Sequence, residues 1–499
     1  MNVASQQVSF LKKRLRRDRI ARSVISVFGY IVLLTMVMII WHLFSQAMNI
    51  AVSPGVKPRQ EMPVLSGGEF LYVGDTANGQ AAVIAGPGCS VSLARLDNGI
   101  LSSRQTLRRP CSHTLDVVTS YGLPYVVDIS ATGQVRLLPV PTVSQPLRQS
   151  NFIDTPLANE MSFALPQEVW SQQTNWQMAV GEQWIIMRVN TPDETLVQWI
   201  NRNSPTQIVR QQYSPDQPMV LLPDTRQIML INNNVLTFVD SSNQRLHQLT
   251  VAQSVRWADS IVKNRSVFVA LANNTLVRLS LYNQAGILRY QPAYNIELQA
   301  NEVPVALYAH ASVNGIAAIT SQQQLLLINR ISGEVVERRQ LPVQPTGVSW
   351  FDSRVYVYGP DAYIRHEVRN MAGLTTTNSL LMPHLYEGYP AADQIWQTSS
   401  ASDYQEIKMS LVPLLIGSLK ASSLALLIAI PLALGAAVYT AYFARPRVRD
   451  SIKPTIEMLE AVPSVLIGFI AAIWLAPLAE RFLFSIAVFM VTLPGILLF

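Results

Sequence analysis

Ser266–Leu281 reads SVFVALANNTLVRLSL: six apolar-rich residues, an Ala-Asn-Asn turn, then a second apolar stretch. Asn-rich turns accommodate the left-handed backbone that tight hairpins need, and β-branched residues on either side favour a paired, pleated strand. The same unit recurs on both sides. Upstream it appears at Phe70–Ile84 (FLYVGDTANGQAAVI), Pro124–Val140, Trp184–Ile200 and Pro218–Asp240, and downstream at Gly315–Val336 and Gly347–Val368. Seven units start between residues 70 and 347, with a mean spacing of about 46 residues, and residues 60–395 show no long amphipathic helical pattern. A period of about 40–50 residues built from strand pairs predicts β-propeller blades. The expectation is a seven-bladed propeller over residues 58–400; a pair of β-sandwiches is the alternative.

Outside this block the chain changes character. Charged residues are only 14% of the whole, against 49% hydrophobic, and they are segregated. Residues 1–22 carry Lys12, Lys13, Arg14, Arg16, Arg17, Arg19 and Arg22 against Asp18 alone. No charge follows from Ser23 to Val56, and Val24–Phe44 is long enough to cross about 30 Å of hydrocarbon. A second uncharged run covers Ala421–Ala444 and is followed by Arg445, Arg447, Arg449 and Lys453. Two further apolar runs cover Ala461–Ala479 and Phe482–Phe499. Basic residues flank membrane spans on the cytoplasmic side. The expected layout is therefore a cytoplasmic basic tail (1–22), a first transmembrane helix (23–45), a periplasmic domain (58–400) and a C-terminal membrane region (409–499). That region would hold helices at about 415–444, 456–479 and 482–499, in a multi-pass protein of a bacterial inner membrane. With the basic residues beside membrane spans, neither they nor the pI near 9.3 points to nucleic acid.

Cys89 and Cys111 are the only cysteines and fall in the external domain, so a disulfide is expected. The six histidines are scattered without ligand spacing, so no metal site is expected. No GxxxxGK[ST] loop or GxSxG elbow occurs, so neither ATP hydrolysis nor other catalysis is expected of this chain, and no cofactor.

The C-terminal region carries one further pattern. Leu411–Tyr442 (LVPLLIGSLKASSLALLIAIPLALGAAVYTAY) is followed, after a basic turn, by Ile452–Pro477 (IKPTIEMLEAVPSVLIGFIAAIWLAP). Gly417-Ser418-Leu419 and the Glu-Ala-Val-Pro-Ser string ending at Ser464, with Gly468 four residues on, resemble the membrane core of phosphate ABC transporter permeases, the PstC-like subunit. The likeness covers about 90 residues. It implies a permease that passes inorganic phosphate from periplasm to cytoplasm. Its partners would be membrane lipid, a second permease subunit, a periplasmic phosphate-binding protein and a cytoplasmic ATPase dimer that binds the ATP. The family's ATPase-docking Glu-Ala-Ala…Gly loop is not found before Phe499, so the permease core is expected to be partial, a C-terminally truncated product. Glu457 and Glu460 lie on one helical face near the cytoplasmic boundary, and Pro463 and Gly468 would flex the same element. With Ser464 these are the expected path-lining or gating residues. The alternative function is a membrane-anchored periplasmic propeller that binds a partner or senses a ligand, beside an incomplete permease region.

Overall fold

The computed structural model describes residues 3–485 apart from 64–67, 77–78, 98–99, 109, 141–160, 168, 172–174, 361, 400–402, 461, 463 and 483, together with 488 and 492. It divides into residues 1–414 and residues 415–499.

The first unit opens with helix α1 (Val3–Met48), which carries the basic tail and the apolar span as one element, so the tail is helical rather than a separate segment. Strand β1 (Gly55–Pro63) follows. The ring is then laid down as six complete antiparallel four-stranded meanders. Blade 1 is β2–β5 (Glu69–Thr76, Gly79–Gly86, Ser90–Asp97, Ile100–Arg108) and blade 2 is β6–β9 (Thr114–Ser120, Leu123–Ile129, Gln134–Pro139, Met161–Ala164). Blade 3 is β10–β13 (Asn175–Val180, Trp184–Asn190, Thr195–Asn201, Ser204–Tyr213) and blade 4 is β14–β17 (Met219–Leu222, Gln227–Asn232, Val235–Val239, Arg245–Thr250). Blade 5 is β18–β21 (Val255–Ser260, Ser266–Leu271, Thr275–Gln284, Ile287–Glu297) and blade 6 is β22–β25 (Pro304–Ala309, Gly315–Thr320, Gln324–Asn329, Val335–Gln340). Blade 7 takes three strands from the end of the domain, β26–β28 (Gly347–Phe351, Arg354–Tyr358, Ala362–Arg369), and its outermost strand is β1. The protein is a seven-bladed β-propeller. Each of the seven repeated units in the sequence falls within a different blade.

The ring is closed by β1 running antiparallel to β28, from Gly55 opposite Arg369 to Pro63 opposite Ala362. This differs from the expected domain: the propeller spans 55–369, and residues 370–400 are no part of a blade. The core lies in the seams between blades. Seven separate apolar clusters fill it, one per seam, such as Val220, Phe238, Val267 and Leu279 between blades 4 and 5. A middle strand therefore packs on both faces, and β19 and β23 are buried along their whole length. That is why these strands read as continuous apolar runs rather than alternating ones. Cys89, in the turn between β3 and β4, is disulfide-bonded to Cys111, in the connection between blades 1 and 2, with Cα atoms 5.1 Å apart.

Residues 370–411 form a strap that runs back over the propeller. It contains the short helix α2 (Thr377–Leu381), capped by Thr376, and a small ladder of β29 (Trp396–Gln397) with β30 (Lys408–Met409). Helix α3 (Val412–Val438) continues from it.

In the second unit α3 runs on through a π-turn to Phe443. The basic stretch expected to be a loop is the start of helix α4 (Pro446–Glu460), which is separate from α5 (Ser464–Ile470). The helix expected over 456–479 is thus two elements. They part between Glu460 and Ser464. Helix α6 (Ala476–Arg481) follows α5 through a second π-turn. Among the described residues three helical stretches are long and apolar enough to cross a membrane: Arg22–Ala51, Val412–Phe443 and Ser464–Arg481. Most of the fourth expected helix, 482–499, lies outside the described residues.

Candidate functional site

In an antiparallel meander the turns after the first and third strands emerge at one end of the blade, and the remaining connections at the other. The first strands β6, β10, β14, β18 and β22 line a central cavity of about 300 Å³. The turns that follow them therefore ring one mouth of the channel.

Four of these turns converge. Tyr121 (blade 2), Asp224 (blade 4) and Lys263 (blade 5) each line both the channel and a larger cavity of about 640 Å³ on the face outside it, so they form the partition between the two. The Tyr121 hydroxyl donates to Asp224 Oδ1 at 2.6 Å, and the backbone N–H of Glu182, from blade 3, donates to the same oxygen at 2.8 Å. Burial and the Asp224 carboxylate both push the Tyr121 phenol well up, so it remains a donor at any physiological pH. Lys263 sits with its ammonium 5.2 Å from the Tyr121 ring centroid.

The backbone is bent to achieve this. Tyr121, Arg226, Lys263 and Asn264 all adopt positive φ, between 49° and 66°. Asn264 holds the blade 5 turn in place: its side chain accepts from the N–H of Asp224 at 3.0 Å and donates to Ser260 at 2.8 Å, while its carbonyl accepts from Tyr290 at 2.6 Å. Arg226 lies over the Trp184 ring at 4.8 Å, and Arg265 joins it in the outer cavity.

The strap crosses the same face. Tyr404 packs on Gly122, where a Cβ would lie 1.9 Å from its hydroxyl; with φ of +75° as well, that position admits only glycine. Farther along, Glu387 and Glu406 enter the seam between blades 5 and 6 and meet Arg278 and Arg330. Arg278 donates to Glu387 at 3.1 Å and to Glu406 at 2.8 Å, and Arg330 donates to Glu387 at 2.7 Å, with all four side chains at most 1% exposed. Ser266 donates to Glu387 at 2.8 Å, and the Glu387 N–H donates to Glu406. Burial opposes the charge on Glu387, but Arg330 and Arg278 outweigh it and hold its carboxyl low. Burial and the neighbouring Glu387 push Glu406 up. The four side chains form a closed ion cluster that pins the strap, and Glu387 with Gly388 also forms a wall of the outer cavity.

The residues singled out in the sequence lie elsewhere. Ser464 opens α5 and Gly468 is inside it, with open space around its Cα. Glu457 and Glu460 belong to α4, but their side chains lie outside what is described, as does Pro463 altogether. The structure therefore neither joins nor separates the five. Among the described residues no group of three or more His, Cys, Asp or Glu side chains could hold a metal ion.

No known family's sequence profile matches the chain, and no curated protein matches it in sequence. Solved structures do. The β-propeller domain of Cps50 (Swd1) from Myceliophteria thermophila aligns at 12% identity over 62% of this chain and 99% of its own, with a TM-score of 0.43. The N-terminal domain of BBS1, solved in complex with ARL6, aligns at 12% identity over 65% of this chain and 100% of its own, with a TM-score of 0.41. At that identity and score the likeness concerns the fold alone.

Proposed function

We propose that the chain is a permease subunit of a binding-protein-dependent importer of inorganic phosphate, with the propeller carried in the periplasm as its docking platform and ATP hydrolysed by a separate subunit. The observation that carries this reading is the pattern from Leu411 to Pro477: an apolar helix, an amphipathic helix whose first half is basic, then the Val-Pro-Ser entry into a second apolar helix. The basic clusters at 12–22 and 445–453 orient it with both inside. The second permease subunit would pack on the apolar helices, the ATPase dimer would lie on the cytoplasmic side, and the phosphate-binding protein would meet the propeller. Glu457 and Glu460 would hold basic groups of a neighbouring helix in one state of the cycle; carboxylates repel phosphate and so would not bind it.

Deleting the gene should lower phosphate uptake at limiting external phosphate, and Glu457→Gln, Glu460→Gln and Pro463→Ala should each slow it several-fold without loss of the protein from the membrane. Wild-type uptake in the deletion strain would overturn the reading. Reporter fusions at Thr250 and Asp450 should be active only in the periplasm and only in the cytoplasm, respectively.

A second reading, a membrane-tethered propeller that senses a ligand or partner, is favoured by one feature. The strap that walls the outer cavity continues directly into α3, so what occupies the cavity bears on an apolar helix. Unchanged uptake in the deletion strain would leave this reading standing.

A further inference from the structure

We propose that the outer cavity binds a phosphate-type oxyanion through Lys263, Arg265 and Arg226. The assignment does not depend on the transport reading, since it concerns the propeller alone.

The charge inventory leads to it. The three cationic side chains line one cavity of about 640 Å³ and make no ion pair among the described residues. Lys263 lies beside the Tyr121 ring and Arg226 over the Trp184 ring, with the Asp240 carboxylate near enough to Arg226 to be held down by its charge. The nearby carboxylates already accept hydrogen bonds, Asp224 from neutral donors and Glu387 through Oε1 only. Asp224 accepts from Tyr121 and from the Glu182 N–H, and Glu387 accepts from Arg278, Arg330 and Ser266. Glu182 is loosely engaged, 3.5 Å from the Tyr121 hydroxyl, and it is exposed. Three like charges facing one space repel each other when it holds only water, and an anion between them relieves that repulsion.

The donor set selects the chemistry. Two guanidinium forks and an ammonium from two turns, Arg226 from blade 4 and Lys263 with Arg265 from blade 5, suit a tetrahedral dianion, which offers acceptor oxygens in several directions, better than a planar carboxylate. The cavity volume lies in the range of about 300–1,000 Å³ usual for small-molecule sites and exceeds what a bare phosphate fills. Trp184 and Leu281 give it an apolar wall, so it would admit the body of a phosphate ester. The α1 and α3 connections both leave the propeller on this face, so two sources share this chemistry: a free phosphate or phosphate ester, and the headgroup of an anionic phospholipid.

The test uses the full-length chain in nanodiscs. In phosphatidylcholine discs, equilibrium binding of radiolabelled inorganic phosphate is compared between wild type and the Lys263→Gln/Arg265→Gln double variant. In discs containing phosphatidylglycerol, amide exchange is followed at residues 223–226 and 261–265. Saturable phosphate binding, weakened about tenfold or more in the double variant, supports a free oxyanion site. No phosphate binding, but protection of both loops that requires phosphatidylglycerol and is lost in the variant, supports the headgroup. Neither effect, or effects unchanged in a variant that melts as wild type does, overturns the proposal. Should the double variant fail to fold, Lys263→Gln alone serves, because that side chain makes no ion pair or hydrogen bond within the described residues; an unweakened signal in it would overturn the proposal equally.

Discussion

Asn370 donates through Nδ2 to the backbone carbonyl of Val52 at 2.6 Å and to that of Asn49 at 2.8 Å, so the residue just after β28 clasps the segment just after α1. Gly373 completes the clasp, because a Cβ there would lie 2.0 Å from the Val52 carbonyl oxygen. Asn370→Ala should leave the ring folded, since exposed hydrogen bonds of this kind contribute about 1 kcal/mol each. It should, however, speed amide exchange at Gly55, Val56 and Lys57 relative to the rest of blade 7. Exchange unchanged at those three amides would show that the clasp does not hold the ladder of β1 with β28.

The buried ion cluster should behave asymmetrically. Arg278→Met leaves Glu387 and Glu406 facing a single Arg330, and stranding a buried charge costs about 3–5 kcal/mol. A fall in melting temperature and new protease sensitivity in residues 371–410 are expected. Glu406→Gln keeps an acceptor for Arg278 and removes the carboxyl that burial and Glu387 already push up, so its effect should be about 1 kcal/mol. Equal losses in the two variants would show that the cluster does not act as an ion network.

His366 in β28 is 1% exposed, and neither ring nitrogen has a hydrogen-bond partner. Burial, reinforced by Arg339, lowers its pKa to about 4. The unfolded chain, with a histidine near 6.5, binds a proton that the folded one rejects. Stability is then fully present above about 6.5 and is lost as pH falls toward 4, by up to about 3 kcal/mol at 1.36 kcal/mol per pH unit. His366→Phe should flatten this slope in melting temperatures taken across that window, and an unchanged slope would assign it to other groups.

Asp259 carries the opposite sign. It faces the central channel, and burial raises its carboxyl to about 6. The folded state holds this proton more tightly than the unfolded one, so its contribution is fully present below about 4 and is lost as pH rises through 6. Asp259→Asn should therefore raise the melting temperature at pH 7 and have little effect at pH 4. A loss of stability at pH 7 would mean that the ionised carboxylate is satisfied in the channel.

The fold was legible where burial acts on both faces of a strand. LVRLSL in β20 and LLLIN in β24 are packed between two seams, and such strands announce themselves as apolar runs. Outer strands were not legible: Ser204–Tyr213 (SPTQIVRQQY) lies at the rim, and its composition resembles a loop. The closing strand Gly55–Pro63 was missed because its partner is 300 residues away, a relationship that no local pattern carries. The mouth of the channel was hidden for the same reason. Tyr121, Asp224 and Lys263 each occupy an ordinary-looking turn in a different repeat, and only the ring brings them together. One signal was present: Arg278 interrupts an apolar strand at an inward position, and a buried guanidinium requires a carboxylate partner somewhere in the chain.

The closure of blade 7 also sets how the molecule responds to force. The start of β1 follows α1, the end of β28 continues into the strap, and these two points are adjacent, at Gly55 and Arg369. Tension that separates residues 55 and 369 acts across the ladder at one end rather than along its length. The bonds are then loaded one at a time, beginning with the Asn370 clasp, and the ring peels open like a zipper at low force. A ring whose two chain ends leave side by side from one ladder is thus opened most easily at that ladder, once the buried cluster of Arg278, Arg330, Glu387 and Glu406 that holds the strap to blades 5 and 6 has let go.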